Sequence, residues 1–124
     1  MLGKLQHIGI LVKNMDTALE FYVKVLELPL RERRVLPNKT EIAFLPIGST
    51  EIELVSPLEP PENEGLDHLA FLVDDLKGMS KKLGEAGLPV PSNVTLDCSK
   101  PTTLFIPGPN GFTFEITQLP GKCV

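Results

Sequence analysis

The chain repeats itself. The segment LQHIGILV begins at Leu5 and a near counterpart, LDHLAFLV, begins at Leu66, so His68 follows His7 by 61 residues. The same 61-residue step separates Phe44 from Phe105 and Pro46 from Pro107, and Glu115 follows Glu53 by 62. One residue has therefore been inserted in the last hairpin of the second copy. A unit of about 60 residues with one amphipathic helix cannot bury its own apolar face well, so the two copies must be used together.

Within each copy the apolar pattern changes period in the same order. Leu5 to Val12 reads as a strand. Ala18, Leu19, Tyr22, Val25 and Leu26 recur at helical spacing, which predicts a helix over Thr17–Leu28, capped by Asp16 and stopped by Pro29. An exposed strand is expected over Leu30–Val35, then a hairpin of EIAFLP (41–46) and EIELV (51–55) about Gly48-Ser49. The Pro-rich acidic stretch LEPPENEG (58–65) reads as a linker. In the second copy a helix is expected from about Leu76 to Gly87, then TLFIP (103–107), an Asn110-Gly111 turn and FTFEIT (112–117). Each copy reads βαβββ. The expectation is one α+β domain over 1–124, with module one about 4–57 and module two about 66–119. Together they would form an eight-stranded mixed sheet with two helices, its repeat-equivalent positions facing one cavity.

Composition narrows the function classes. Twelve Lys and Arg against sixteen Asp and Glu give a net charge of −4, a surface that repels phosphate backbones, so no nucleic-acid partner is expected. No apolar run approaches the roughly 20 residues of a membrane span. The opening MLGKLQHIGILV lacks the small-residue cleavage pattern of a leader. Two cysteines, Cys98 and Cys123, do not make a disulfide framework, and with the missing leader they lead to the expectation of a reducing, cytoplasmic compartment.

Four polar residues interrupt the apolar strands at repeat-equivalent places: His7 and His68 on the first strand of each copy, Glu53 and Glu115 on the last. His7 and His68 are the two histidines of the chain. A single strand histidine is commonly structural and a single strand glutamate commonly faces solvent. Such an account must be made twice here, in matching positions. Two imidazoles and two carboxylates form a donor set suited to Zn, Ni, Co, Mn or Fe(II). The cluster of Arg31, Arg33, Arg34 and Lys39 reads as a solvated strand or loop, with anchoring of an anionic substrate as the other reading.

His7, Glu53, His68 and Glu115 in two βαβββ modules resemble the vicinal-oxygen-chelate superfamily, which includes glyoxalase I, methylmalonyl-CoA epimerase, extradiol dioxygenases and antibiotic-resistance proteins. The resemblance covers about Leu5 to Leu119 and is nearest to the epimerases, through HIGILVKNMDTALEFYVKVLELPL, EIAFLPIGSTEIELVSPL, GLDHLAFLVDDL and FTFEITQLP. It implies one divalent ion per chain (Co, Ni, Zn or Mn) held by His7, Glu53, His68 and Glu115. It also implies Glu115 and Glu41 as the two acid–base residues, a small-molecule thioester substrate, and a homodimer. The expected activity is a metal-dependent isomerase that enolises or epimerises a small acyl-CoA thioester. The alternatives are a glyoxalase I-like lyase on a glutathione hemithioacetal and a non-catalytic, resistance-type binding protein. The chain departs from the epimerases where LEPPENEG replaces a longer insert, and where DCSKPTT and IPGPNG replace segments that normally hold CoA; the IPGPNG turn is closer to the glyoxalase-type members.

Overall fold

The structure, a computed structural model, describes residues 2–91 and 94–121. Seven strands and two helices follow in the order β1 (Leu2–Leu11), α1 (Met15–Leu19), β2 (Glu32–Val35), β3 (Glu41–Ile47), β4 (Thr50–Ser56), β5 (Gly65–Val73), α2 (Leu76–Glu85), β6 (Thr102–Pro107) and β7 (Thr113–Gln118). No helix among the described residues is long and apolar enough to cross a membrane. The chain divides into two compact units. One runs from His7 to Asp67, and the other gathers the residues before His7 with those from His68 onward. The units thus follow the repeat, except that the first residues of β1 join the second copy.

In the first unit β1 runs parallel to β4, β4 antiparallel to β3, and β3 antiparallel to β2. The two-residue turn at Gly48-Ser49 sets the β3/β4 register, with Gly48 supplying the positive φ of 56° that such a turn needs. Side chains alternate between the two faces of a strand, so register decides which residues share a face. Ala43 opposite Leu54, and Leu45 opposite Ile52, turn toward α1; with Val12, Met15 and Leu19 they form this unit's core. The same rule turns His7, Phe44, Glu51 and Glu53 to the other face.

Helix α1 departs from the sequence expectation. Its N-cap is Asn14, whose side-chain oxygen accepts the Thr17 N–H at 2.9 Å, rather than Asp16. The regular α-helix ends at Leu19, and Glu20–Val25 winds as a π-helix, with the Leu26 N–H donating to the Phe21 carbonyl at 3.0 Å. The turn ends where Glu27 takes a left-handed φ of 61°, before Pro29.

The second unit repeats the pairing. Strand β5 is parallel to β7, and β7 antiparallel to β6. Phe71, Phe114, Ile116, Leu104 and Ile106 share the face toward α2, where Val73, Leu76, Met79, Ile106 and Ile116 make the core. The counterpart of β2 is missing: among the described residues no strand lies between α2 and β6, so the count is seven strands rather than eight. Pro89 and Pro91 fall in that interval, and proline has no N–H to give to a ladder. Cys98 is disulfide-bonded and offers no free thiol, which goes against the reading of the two cysteines as a sign of a reducing compartment; Cys123 lies outside the described residues.

Helix α2 starts on two side chains. The Asp75 carboxylate accepts the Gly78 N–H at 3.0 Å, and the buried Gln118 amide oxygen accepts the Leu76 N–H at 2.8 Å. Gly87, at φ 91°, closes the other end. Replacing Gln118 by leucine leaves the Leu76 N–H buried without that acceptor. The expected cost is about 1–3 kcal/mol, read as a lower denaturant midpoint at unchanged slope. An unchanged midpoint would mean that the cap is supplied from elsewhere.

Candidate metal centre

Each unit brings one histidine against one glutamate. In the first, His7 on β1 is in register with Glu51 on β4, and Gly9 with Glu53. Glu53 therefore lies two residues along β4 on the same face, and its Oε1 approaches His7 Nε2 at 3.4 Å. Gly9 has no side chain to crowd the carboxylate opposite it. In the second, His68 on β5 is in register with Thr113 on β7, and Ala70 with Glu115. The Glu115 Oε2 approaches His68 Nε2 at 3.1 Å. The geometry is the same construction twice: a parallel strand pair, a histidine, a small residue two places on, and a glutamate opposite that small residue. His68 is buried, while His7, Glu53 and Glu115 are partly buried.

A phenylalanine stands beside each pair, also by register. Phe44 is opposite Glu53 and meets the His7 ring edge-on at a centroid distance of 6.3 Å. Phe105 is opposite Glu115 and is 67% exposed, unusual for a ring on a strand interior and the apolar surface nearest that carboxylate in the ladder. In the second unit the Thr103 and Thr117 hydroxyls, 2.6 Å apart, continue the same face. These neighbours were not picked out as functional from sequence, although the 61-residue step between the two phenylalanines was a signal for them.

Glu41 is not brought to these residues. On β3 it is opposite Ser56 of β4 and three places from Phe44, so the alternation turns it to the α1 face, away from His7 and Glu53. There it is bound by the Arg33 guanidinium, which also donates to Asp16 of α1 at 2.8 Å. Arg33 is held more firmly protonated than a free arginine by its hydrogen bonds to Glu41 and then Asp16. The residue expected as a second acid–base group is thus not brought to the histidine-bearing face: its side chain forms a bridge from β2 and β3 to α1. On the histidine-bearing face this stretch of β3 presents Ile42 and Phe44 instead.

The described residues of both units thus offer two Nε2 nitrogens, each already facing a carboxylate oxygen. Neutral imidazole and ionised carboxylate are the forms that bind divalent ions, and the set is neither all-oxygen, as calcium and magnesium prefer, nor thiolate. The residues fit a borderline divalent ion.

Residues 4–116 match the family described as the Glyoxalase/Bleomycin resistance protein/Dioxygenase superfamily. The chain belongs to this superfamily. Among its relatives, the uncharacterized protein YqjC of Bacillus subtilis (strain 168) is 34% identical over 94 residues, which cover 68% of this chain and 67% of YqjC. The mitochondrial methylmalonyl-CoA epimerase of Homo sapiens is 28% identical over 86 residues, 60% of this chain and 49% of that protein. The crystal structure of methylmalonyl-CoA epimerase from Mycobacterium tuberculosis shares the fold, with a TM-score of 0.73 at 24% identity, covering 98% of this chain and 91% of that one.

Proposed function

We propose that this member of the superfamily is a metal-dependent isomerase that enolises a small acyl thioester, with one divalent ion held by His7 and Glu53 from one repeat and His68 and Glu115 from the other. The observation that carries the reading is the His–Glu pair built twice by the same strand register. The likeness to methylmalonyl-CoA epimerases supports the thioester and the isomerase outcome. When bound, a divalent ion supplies Lewis-acid stabilisation of the oxyanion that develops on a substrate carbonyl. The chain's own part is to orient and to move a proton. His7 and His68 turn their Nε2 nitrogens toward the Glu53 and Glu115 carboxylates. A Glu115 carboxylate oxygen takes the proton α to the carbonyl, and the exposed Phe105 ring beside it gives the acyl substituent an apolar wall. A homodimer belongs to the same proposal and rests on the family resemblance.

The position of Glu41 favours a second reading. Epimerisation by two bases needs a carboxylate on each side of the carbanion, and Glu41 faces α1. A one-base member, of the glyoxalase type, needs Glu115 alone. One experiment covers both. Metal-supplemented chain is incubated in deuterium oxide with chiral 2-methyl-branched malonyl-type CoA thioesters and, separately, with a glutathione hemithioacetal. NMR follows α-proton exchange, and chiral analysis follows inversion. Exchange with inversion of the CoA thioester supports the isomerase. Turnover of the hemithioacetal alone transfers the chain to the lyase reading. Exchange with neither, on protein shown to carry metal, rejects enolisation and leaves a binding protein.

A further inference from the structure

Arg31 stands just ahead of β2 and takes no part in the proposed metal centre, yet its side chain lies on the same face of the first unit. Its Nε donates to Glu51 Oε2 at 2.5 Å and its Nη2 to Glu51 Oε1 at 3.1 Å, the two-pronged geometry that fixes a guanidinium plane. Its Cζ sits 4.7 Å above the centroid of the Phe44 ring. Phe44 in turn meets His7 edge-on, and Glu51 is the register partner of His7. The guanidinium is thus clamped from two sides by residues that themselves border the His7–Glu53 pair. A third contact, Nη1 to Glu32, is longer at 3.4 Å.

An ordinary surface ion pair is loosely held and contributes little. Arg31 is different in being oriented while its side chain remains 48% exposed. Glu51 uses the Nε and Nη2 edge, which leaves the Nη1 edge with one long contact. Bound to Glu51, the guanidinium stays charged beyond the usual range for arginine. A fixed, always-charged donor edge beside a metal-ligating pair is a reader of an oxyanion, and its planar fork suits a carboxylate.

The guanidinium contacts Phe44 and Glu51, which border the His7–Glu53 pair, so it stands one residue removed from that pair. A carboxylate bound there belongs to a part of the substrate away from the atoms held at His7 and Glu53.

We propose that Arg31 is a specificity-determining residue that binds a distal carboxylate of the substrate, so that the preferred substrates are acyl compounds bearing a carboxylate on an arm away from the enolised centre. The proposal rests on the functional reading above. Glu51 and Phe44 act as its positioning residues, and Glu32 is the contact that the substrate carboxylate displaces.

The test uses full-length, cobalt-loaded chain and a ligand series. Monohydroxamates of straight-chain dicarboxylic acids, from succinic to suberic, are compared by calorimetry with the same hydroxamates ending in a primary amide. The expected result is an acid-over-amide preference of about 10- to 100-fold that peaks at one chain length. Arg31→Gln brings the ratio to about one while the amide affinity and metal content hold. Arg31→Lys keeps part of the preference, and Glu51→Gln lowers it by unfixing the guanidinium plane. A merely structural Arg31 would shift both ligands together and leave the ratio alone. An unchanged ratio in Arg31→Gln, or no acid preference in the wild-type chain, overturns the proposal. If the wild-type chain takes up no metal, the metal reading fails separately. The Arg31 Nε–H resonance of the metal-free chain then decides: a shift with the acids and none with the amides supports the carboxylate site, and no shift with either overturns it.

Discussion

A His68→Ala chain is expected to lose tight divalent-metal binding while keeping its fold. His68 is 5% exposed, its Nε2 is 3.1 Å from the Glu115 carboxylate, and its strand register matches that of His7. Loss of an outer partner of a metal ligand already costs about 10- to 100-fold in affinity, so removal of a ligand itself must cost more. The check is a metal titration by calorimetry with elemental analysis of the dialysed protein. Circular dichroism and the denaturation midpoint serve as the control on folding. The competing account makes His68 a buried structural histidine that satisfies Glu115. That account predicts the opposite pattern: metal content unchanged or absent in both proteins, and a stability loss of about 1–3 kcal/mol from an orphaned, partly buried carboxylate. A His68→Ala protein that binds cobalt as the parent does would remove the metal centre from this chain.

Why these four residues were legible in the sequence is a matter of register. A repeat step that is nearly constant carries a histidine to a histidine and a glutamate to a glutamate, and equal register in β1/β4 and β5/β7 then reproduces the pair. Glu41 shows the limit of reading without doing that geometry. Once a two-residue turn is placed at Gly48-Ser49, Phe44 must oppose Glu53, and Glu41 must then turn to the helix face. The turn carries that information, whereas a family resemblance carries none about the face on which a glutamate at the start of a strand falls. Other features were not legible. The passage of α1 into a π-helix depends on packing rather than on propensity, since Phe21, Tyr22 and Val25 suit either winding. The Arg31 clamp needs the bend before β2, which sets Arg31 on the His7 face while Arg33, two residues on, goes to the other. Three arginines within four residues look alike as a string. Among the described residues no strand stands between α2 and β6, as Pro89 and Pro91 foreshadow, although the repeat argues for one there.

The assignment of the base separates Glu115 from Glu41 by effect size. Glu115→Gln removes the carboxylate that is proposed to accept the α-proton. General-base contributions are typically about 10²–10⁴-fold, and the α-proton exchange rate should fall by at least that order. Glutamine keeps an oxygen donor, so the variant is assayed at saturating cobalt with bound metal counted, which divides a lost base from a lost ion. A rate per bound metal that still falls by that order assigns the proton to Glu115. A rate per bound metal equal to the parent's would leave Glu115 a ligand and nothing more. Glu41→Gln is the matched control on the other face of the sheet. It gives up the ion pair with Arg33, a partly exposed pair worth about 0–1 kcal/mol, while the Arg33–Asp16 contact stays, and it should leave exchange and inversion within about twofold of the parent. Should Glu41→Gln instead fall as far as Glu115→Gln, with metal content intact, the face assigned to Glu41 is wrong and two-base epimerisation returns. With Glu41 neutral in effect and Glu115 decisive, the proton given to the second face of the carbanion must come from water or from a group on the second unit's own face. The isotope content of product formed in deuterium oxide tells these apart, since delivery from solvent labels every turnover and return by Glu115 itself preserves part of the original proton.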